Sequence, residues 1–433
     1  FTGVGLTGPV TFLVLGFVNG LTSGFSVKVA QAFGAGDEAR VRRAVGMSYL
    51  LCVAVAVVVT AVAVPLTAPL LRLMQTPSAY YDYAYWYLLF IFCGIGATVF
   101  YNIVAGLLRA VGDSRTPLYF LVAAAVLNVG LDFAFIMGCG WHYCGAALAT
   151  VLSQLISGAA CLAYALYRYP VLRPARSDFG WDTRLAMGHF AVGLPMALQF
   201  SITAIGCIVQ QTALNGLDAA LPGAVTAYTA ASKIDNIANQ VFVALGTALA
   251  TYAGQNYGAG EFGRIRRGVL AGMVYVFAGS VIGFAFAVGL CEPLMKLFLN
   301  TDLSADVAGN YGAIIGYGRQ FLLWQCSFYP FLGAIYVYRN TLQGIGRSAV
   351  TTFAGVTELA GRVLASLVFV RVWGFTGVCS SNPVAWVAAV IFLVATYAVV
   401  MRRRNNGELP RARSRAHRRR LRRSCRIAVR RAS

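Results

Sequence analysis

Long apolar segments without any Asp, Glu, Lys or Arg are the feature that most constrains this chain. They are Ala44–Leu71, Tyr83–Leu108, Tyr143–Tyr167, Leu185–Leu217 and Gly268–Cys291. A helix of about 20 apolar residues is long enough to cross the hydrocarbon core of a bilayer. A membrane β-barrel would instead show short segments of alternating polarity. The sequence therefore predicts an all-α, polytopic membrane protein.

Other apolar segments carry isolated charges, and a pass along the chain predicts eleven spans in all. They are Gly5–Phe33, Ala44–Leu71, Tyr83–Leu108, Thr116–Met137, Tyr143–Tyr167, Leu185–Leu214, Ala224–Tyr257, Gly268–Leu290, Tyr311–Gly344, Ala349–Val370 and Gly374–Met401. Only 12% of the 433 residues are charged, about half the share found in soluble domains. The lipid bilayer is thus the expected surrounding of most of the chain.

Positive charge divides the loops into two sets. One set of alternate loops holds thirteen arginines, and the other holds Arg72, Lys296 and Arg371. Cytoplasmic loops are enriched in Lys and Arg, so the first set is expected to face the cytoplasm. The tail, residues 402–433, falls on the same side and holds 14 of the 35 Lys and Arg residues. We expect it to be disordered and to touch anionic lipid, and we expect no nucleic-acid partner.

An internal repeat organises the chain. The segment "QAFGAGDEARVRRAV" from Gln31 recurs as "QNYGAGEFGRIRRGV" from Gln255, 224 residues later. A weaker pair, "LRAVGDS" from Leu108 and "LQGIGRS" from Leu342, is 234 residues apart. Repeats of six spans have the same orientation in the membrane, as in several secondary transporters. The pattern predicts two six-helix bundles related by a pseudo-twofold axis along the membrane normal.

The two halves differ in their number of spans. The second half has six and the first has five, and the 224-residue offset places Phe1 opposite Val225, the start of the second span of the second half. We therefore expect that the first helix of the repeat is missing here. The predicted domains are an N-lobe (1–168), a cytoplasmic loop (169–182), a C-lobe (183–401) and the basic tail.

Ionisable residues inside the spans are the candidate functional residues, because charge within a bilayer is costly. They include Asp132, Lys233, Asp235, Arg319, Arg339, Glu358 and Arg362. Glu358 and Arg362 are four residues apart on one helix, which favours an ion pair over a cation- or proton-binding carboxylate. The pair Asn128 and Asp132 has the same spacing and indicates either a hydrogen bond or an ion site.

Asp235 is the candidate for which a transport role is best supported. With Asn236 and Asn239 it forms a polar stripe that could line a water-filled path, and the alternative is a structural pairing with Lys233 or Arg319. The span Leu185–Leu214 has no acid but carries Gln199, Gln210 and Gln211. These amides indicate either helix-packing hydrogen bonds or ligands for a cation or substrate.

Enzyme chemistry is poorly supported. The body of the chain has only His142 and His189, and it lacks a Walker motif, so no ATP site is visible. The segment "CGWHYC", Cys139–Cys144, allows free thiols, a small disulfide or an incomplete metal-ligand set. We predict that the protein is not an enzyme and that transport would depend on an ion gradient.

Several segments resemble the multidrug and toxic compound extrusion (MATE) family. They are "AQAFGAGDEARVRRAV" with its copy, "LRAVGDSRTPL", "LNVGLDFAFI", "KIDNIANQVFVALGTALATYAGQNYGAG" and "YRNTLQGIG". The resemblance covers nearly all of Phe1–Met401. It implies twelve helices in two bundles, export of cationic, amphipathic compounds in exchange for Na⁺ or H⁺ by alternating access, and no other cofactor. We expect a monomer in the plasma (inner) membrane.

The chain departs from the family at the coupling acids. Family members often carry an acid on the first helix, which we expect to be missing here, and some carry a glutamate on the first C-lobe helix, where Leu185–Leu214 has only glutamines. Asp235 and Glu358 are the C-lobe acids that remain. Two other functions were considered: a flippase for lipid-linked saccharides, using Arg319, Arg339 and Arg362, and a non-transporting receptor or channel.

Overall fold

The structure is a computed structural model that describes residues 7–73, 78–217, 221–299 and 311–405. Throughout those ranges all regular secondary structure is helical, so the predicted all-α class is confirmed. Residues 406–433, most of the predicted basic tail, lie outside the described residues.

The α-helices of the described ranges are numbered here in chain order. They are α1 (Gly8–Gly34), α2 (Glu38–Leu73), α3 (Ser78–Cys93), α4 (Ile95–Ala110), α5 (Arg115–Asp132), α6 (His142–Arg168), α7 (Thr183–Asn215), α8 (Ala224–Gly258), α9 (Phe262–Gly289), α10 (Cys291–Phe298), α11 (Tyr311–Ser327), α12 (Tyr329–Gly344), α13 (Ser348–Leu364), α14 (Val370–Trp373) and α15 (Phe375–Asn405). Short π-helices, Phe133–Gly138 and Ala365–Phe369, follow α5 and α13.

The predicted spans are confirmed as helices. Nine helices are long and apolar enough to cross a membrane, and the bent pairs α3–α4 and α11–α12 bring the number in the described ranges to eleven. The pairs bend by 46° and 45°. Gly94 separates the first pair, and Pro330 lies in the first turn of α12. A proline cannot donate the backbone hydrogen bond that would continue a helix through the break.

The duplication is visible in the backbone. Three pairs of glycines share a positive φ: Gly36 and Gly260 (69° and 71°), Gly112 and Gly346 (99° and 85°), and Gly140 and Gly374 (69° and 55°). The members of each pair are 224, 234 and 234 residues apart, the offsets of the two sequence motifs. The left-handed backbone is costly for residues with a Cβ atom. The repeat therefore reproduces the turns between helices as well as the helices themselves.

The described residues divide into two compact units. One contains residues 7–201 with Gly254–Glu261, and the other contains Ile202–Ala253 with 262–405. The division falls inside α7 and differs from the lobe boundary predicted at 169–182. The first half of α7 packs closely on α1, since a Cβ added to Gly24 would collide with the backbone of Gly193. Small residues allow such close helix contacts in membranes.

The two copies of the repeated motif meet within the first unit. A Cβ atom added to Gly34 would collide with the carbonyl oxygen of Gln255, and one added to Gly258 would collide with that of Gln31. Gly34 and Gly258 are equivalent positions of the repeat, and so are Gln31 and Gln255. The ends of α1 and α8 therefore pack against each other reciprocally, through glycines that leave room for the backbones.

We expect Gly34→Ala to lower the free energy of unfolding by about 2 kcal/mol, because the added methyl group would push two helix backbones apart. Gly263 provides the matched control, since nothing lies within 4 Å of its Cβ position. Alanine at position 263 should be neutral or stabilise the helix by up to about 1 kcal/mol. Thermal unfolding of the two purified variants measures the difference. Equal effects of the two substitutions would contradict the close contact at Gly34.

Candidate functional site

A buried carboxylate lies on α8 in the second unit. Asp235 is only 8% exposed. Its Oδ1 accepts a hydrogen bond of 2.9 Å from the Tyr329 hydroxyl of α12, and its Oδ2 accepts one of 3.1 Å from the Asn239 amide, one turn along α8. The Tyr329 ring is fully buried and packs edge-on against Phe242 at 5.6 Å. Packing of the ring thus holds the phenol hydroxyl in place beside the carboxylate.

Both hydrogen-bond donors to Asp235 are neutral. In the part of the chain that the structure describes, no Lys or Arg nitrogen forms a salt bridge with its carboxylate. Lys233 is exposed, with its Nζ 5.4 Å from the centre of the Phe298 ring, and Arg319 is exposed as well. The predicted structural pairing with Lys233 or Arg319 is therefore wrong, since Lys233 points away along its own helix. The negative charge of Asp235 is thus not neutralised by a salt bridge within the described residues.

The predicted polar stripe is brought together only in part. Asp235 and Asn239 are hydrogen-bonded, whereas Asn236 is exposed. Asn239 Oδ1 is buried and has no hydrogen-bond partner among the described residues. The site thus offers carboxylate, phenol and amide oxygens, the donor type that hard cations prefer.

A buried ion cluster lies on the neighbouring helices of the same unit. Arg339 of α12 donates from Nη2 to Oε2 of Glu358 at 2.7 Å, and Arg362 donates from Nη2 to Oε1 at 3.0 Å. All three side chains are less than 9% exposed. The predicted pair of Glu358 and Arg362 is confirmed, and Arg339 joins it from another helix. Two of the three arginines proposed for a flippase cavity, Arg339 and Arg362, are thus engaged by one carboxylate, and the third, Arg319, is exposed.

Arg362 also connects the cluster to α7. Its Nη1 lies 3.4 Å from the Thr203 carbonyl oxygen and 3.8 Å from the Cys207 sulfur. A Cβ on Gly206 would lie 2.7 Å from the same nitrogen. The helix α7 therefore contributes backbone and sulfur acceptors to the site, in place of the acid that its sequence lacks.

Asp235 and the cluster share two tyrosine neighbours. Tyr336 lies near Arg339, Glu358 and Asp235, and Tyr228 lies near Arg362 and Asp235. Two arginines and two carboxylates sum to zero when Asp235 is ionised. A proton or cation on Asp235 leaves one net positive charge in this buried region. The occupancy of Asp235 therefore determines the local charge.

Asp132 lies in the first unit, where α5 meets the π-helix Phe133–Gly138. The amide of Asn128 donates to the Thr150 hydroxyl at 3.4 Å, and Asp132 Oδ1 has no hydrogen-bond partner in the described ranges. The predicted bond between Asn128 and Asp132 is wrong, because the Asn128 amide reaches across to α6 instead. An ion site at Asp132 stays a prediction.

Of the glutamines of α7, Gln210 serves in helix packing. Gln210 donates to the Val378 carbonyl of α15 at 3.2 Å, and Gln211 donates to Asn215 at 2.9 Å. The prediction of a helix-packing hydrogen bond is confirmed for Gln210, whereas the bond of Gln211 lies within its own helix, and the role of Gln211 stays a prediction. Gln199 is half-buried, and its role stays a prediction.

His189 has hydrogen-bond partners within the fold, and Cys139 and Cys144 are not bonded to each other. The His189 ring is buried, with Nδ1 2.8 Å from the Leu185 carbonyl oxygen and Nε2 3.2 Å from the Ser48 hydroxyl. Cys139 and Cys144 are free thiols. Of the alternatives for this segment, the structure thus shows free thiols and no disulfide.

Sequence reasoning missed Tyr329 as a partner of Asp235. The two residues are 94 positions apart and lie on different helices. The only available signal was the position of Tyr329 beside a helix break at Pro330, where a polar group in a span often has a specific role.

Comparison with known proteins agrees with this architecture. The family model described as MatE matches residues 1–134 and 195–365. The probable multidrug resistance protein YoeA of Bacillus subtilis is 24% identical, and the match covers 92% of this chain and 85% of that protein. The probable multidrug resistance protein YpnP of the same organism is 28% identical over 79% of this chain and 73% of its own length.

The fold has a close match among solved structures. A MOP superfamily transporter from Pyrococcus furiosus superposes with a TM-score of 0.84 at 23% identity, and the match covers 92% of this chain and 87% of that chain. The helical arrangement is therefore shared with that structure.

Proposed function

Because the chain belongs to the MatE family of multidrug efflux transporters, we propose that it is a secondary active antiporter. It exports cationic, amphipathic compounds from the cytoplasm in exchange for Na⁺ or H⁺, by alternating access. The single observation that best supports exchange is the buried carboxylate of Asp235, which has neutral hydrogen-bond donors and no cationic partner among the described residues.

One carboxylate can serve both directions of exchange. A buried negative charge is unfavourable unless it is neutralised, so Asp235 is occupied in turn by the coupling cation and by a positively charged substrate. The oxygens of Tyr329 and Asn239 complete a set that suits Na⁺, and a proton would need the carboxylate alone. Because the coupling cation and the substrate bind the same carboxylate, one must be released before the other can bind.

The Arg339–Glu358–Arg362 cluster supports this exchange electrostatically. Its net positive charge stabilises ionised Asp235 between binding events, and it disfavours occupation of the site by two cations at once. Coulomb interactions between neighbouring charges are strong in a low-dielectric interior. The cluster would thus enforce one cation per cycle.

Ethidium accumulation in cells tests the proposed function. Cells that express the protein should accumulate less ethidium than control cells, and collapse of either the Na⁺ gradient or the proton gradient should remove the difference. The treatment that removes the difference in accumulation identifies the coupling ion. If neither gradient affects accumulation, ion-coupled export is wrong.

The proposal includes a monomer in the plasma (inner) membrane with the C-terminal tail in the cytoplasm, since the arginine-rich loops and the tail share one side. Cys139 then lies on the outer side, and its thiol is exposed. A membrane-impermeant maleimide should label Cys139 in intact cells, and Cys139→Ser should remove that label. Labelling only after the cells are opened would contradict the orientation.

A further inference from the structure

A cavity of about 550 Å³ opens on the surface of the first unit. Its walls come from α2, α4 and α6, and Pro174 and Phe179 of the segment between α6 and α7 cover one end. Apart from the Tyr49 hydroxyl and the Cys52 thiol, the lining side chains are apolar. Val53 in the wall is 65% exposed, so the cavity is open towards the side of the helices. Its surroundings there are the lipid chains of the bilayer.

The cavity lies at the depth of acyl chains. Along α2, Tyr49 lies about 10 Å from Arg42 and Val57 about 22 Å from it, at the helical rise of about 1.5 Å per residue. Half of the hydrocarbon core is about 15 Å thick. The cavity therefore extends from near the interface at which Arg42 lies to about the middle of the bilayer.

Positive charge surrounds the covered end of the cavity. Arg173 donates from Nη2 to the Tyr167 carbonyl at 3.2 Å and from Nε to the carbonyl of Leu166, a lining residue. Arg42 lies 3.7 Å from Asp178, and Arg176 is exposed. Three arginines and one aspartate leave two net positive charges at this rim.

The covering segment is held firmly on α2. A Cβ on Gly46 would lie 2.5 Å from the Asp178 carbonyl oxygen, so the backbone of the segment rests directly on the helix. The Asp178 carboxylate also accepts a bond of 2.9 Å from the Ala175 amide. These contacts place the arginine rim beside the apolar cavity.

We propose that this cavity binds one acyl chain of an anionic phospholipid, whose phosphate contacts Arg173 and Arg176. The apolar lining accommodates the hydrocarbon, at about 0.8 kcal/mol per buried methylene. The two net charges of the rim select an anionic headgroup over a zwitterionic one, as clustered arginines at a membrane interface do. The site shares no residue with the carboxylate site on α8.

Thermal unfolding of the purified full chain in detergent tests the proposal. Dioleoylphosphatidylglycerol should raise Tm by about 3 °C or more above the rise caused by dioleoylphosphatidylcholine, because a ligand that binds only the folded state stabilises it. The two lipids have identical chains, so the difference isolates the headgroup. Equal shifts of Tm with the two lipids in the wild-type protein would overturn the proposal.

Two variants separate the cavity from the rim. Ala56→Phe fills the cavity, and the double variant Arg173→Gln with Arg176→Gln removes charge from the rim. Each of the two should abolish the extra rise in Tm caused by the anionic lipid. The controls are Val122→Phe, which adds bulk on an exposed face of α5, and Arg371→Gln, which removes an arginine from the other set of loops. Both controls should keep the extra rise in Tm caused by the anionic lipid. Retention of the extra shift in either test variant would overturn the proposal.

Discussion

Replacement of Asp235 by asparagine is expected to abolish ion-coupled export while the protein still accumulates in the membrane. The amide keeps the size of the side chain and can accept one of the two hydrogen bonds, from Tyr329 or from Asn239, through its oxygen, but it carries no charge for a cation. Loss of a charged interaction of about 1.5–3 kcal/mol corresponds to an about ten- to hundredfold weaker cation affinity. Ethidium efflux in cells that express the variant, measured with and without the ion gradient, checks this prediction.

Asp82→Asn is the matched control, because Asp82 is an exposed acid on another span. It should leave efflux and its ion dependence unchanged. Tyr329→Phe provides a second variant: it removes one hydrogen bond to Asp235 and keeps the buried ring. The coupling-ion concentration at half-maximal efflux should then change by about tenfold. Normal efflux with normal ion dependence in both Asp235→Asn and Tyr329→Phe would contradict a coupling role for Asp235.

Substitution of Glu358 by glutamine is expected to lower the free energy of unfolding by about 3–5 kcal/mol, as removal of one partner from a buried ion pair does. The variant would leave Arg339 and Arg362 facing each other without the carboxylate between them. The Nε atoms of both arginines are already buried without hydrogen-bond partners among the described residues. The other acceptors that the structure shows for Arg362, the Thr203 carbonyl and the Cys207 sulfur, are neutral and do not replace the charge of Glu358.

An exposed ion pair offers a matched control for this substitution. Glu292 and Lys296 are also four residues apart, at 2.9 Å, but their side chains are 57% and 55% exposed. Surface pairs of this kind contribute little to stability, so Glu292→Gln should have little effect. Thermal unfolding of both purified variants makes the comparison. A loss at Glu358 no larger than that at Glu292 would show that the cluster does not stabilise the fold.

The spans and the duplication could be predicted from the sequence because both are local patterns. Each span is a continuous apolar segment, and the helices differ from the predicted bounds by only a few residues. The breaks at Gly94 and Phe328 were not predicted, although both segments were identified as single spans. Apolar composition identifies a segment that crosses a membrane, but the direction of the chain within it depends on individual glycines and prolines.

The candidate site was less accessible to sequence reasoning. Glu358 and Arg362 could be paired because a helix places such neighbours on one face. Arg339 and Tyr329 were beyond reach, since their contacts depend on the packing of α12 against α8 and α13. The incorrect pairings, Lys233 with Asp235 and Asn128 with Asp132, have the same origin: nearness along the chain does not decide which helix a side chain faces.

The contact between the motif copies has a consequence for how the chain can vary. Gln31 contacts Gly258 while Gln255 contacts Gly34, which is the pattern of an isologous interface between two identical subunits. The ends of α1 and α8 thus contact each other in the way that two identical subunits do in a symmetric dimer, although both belong to one polypeptide. Each copy of the motif is the surface on which the other copy packs. At these positions the duplicated halves cannot diverge independently, because a change in one must be accommodated by its counterpart.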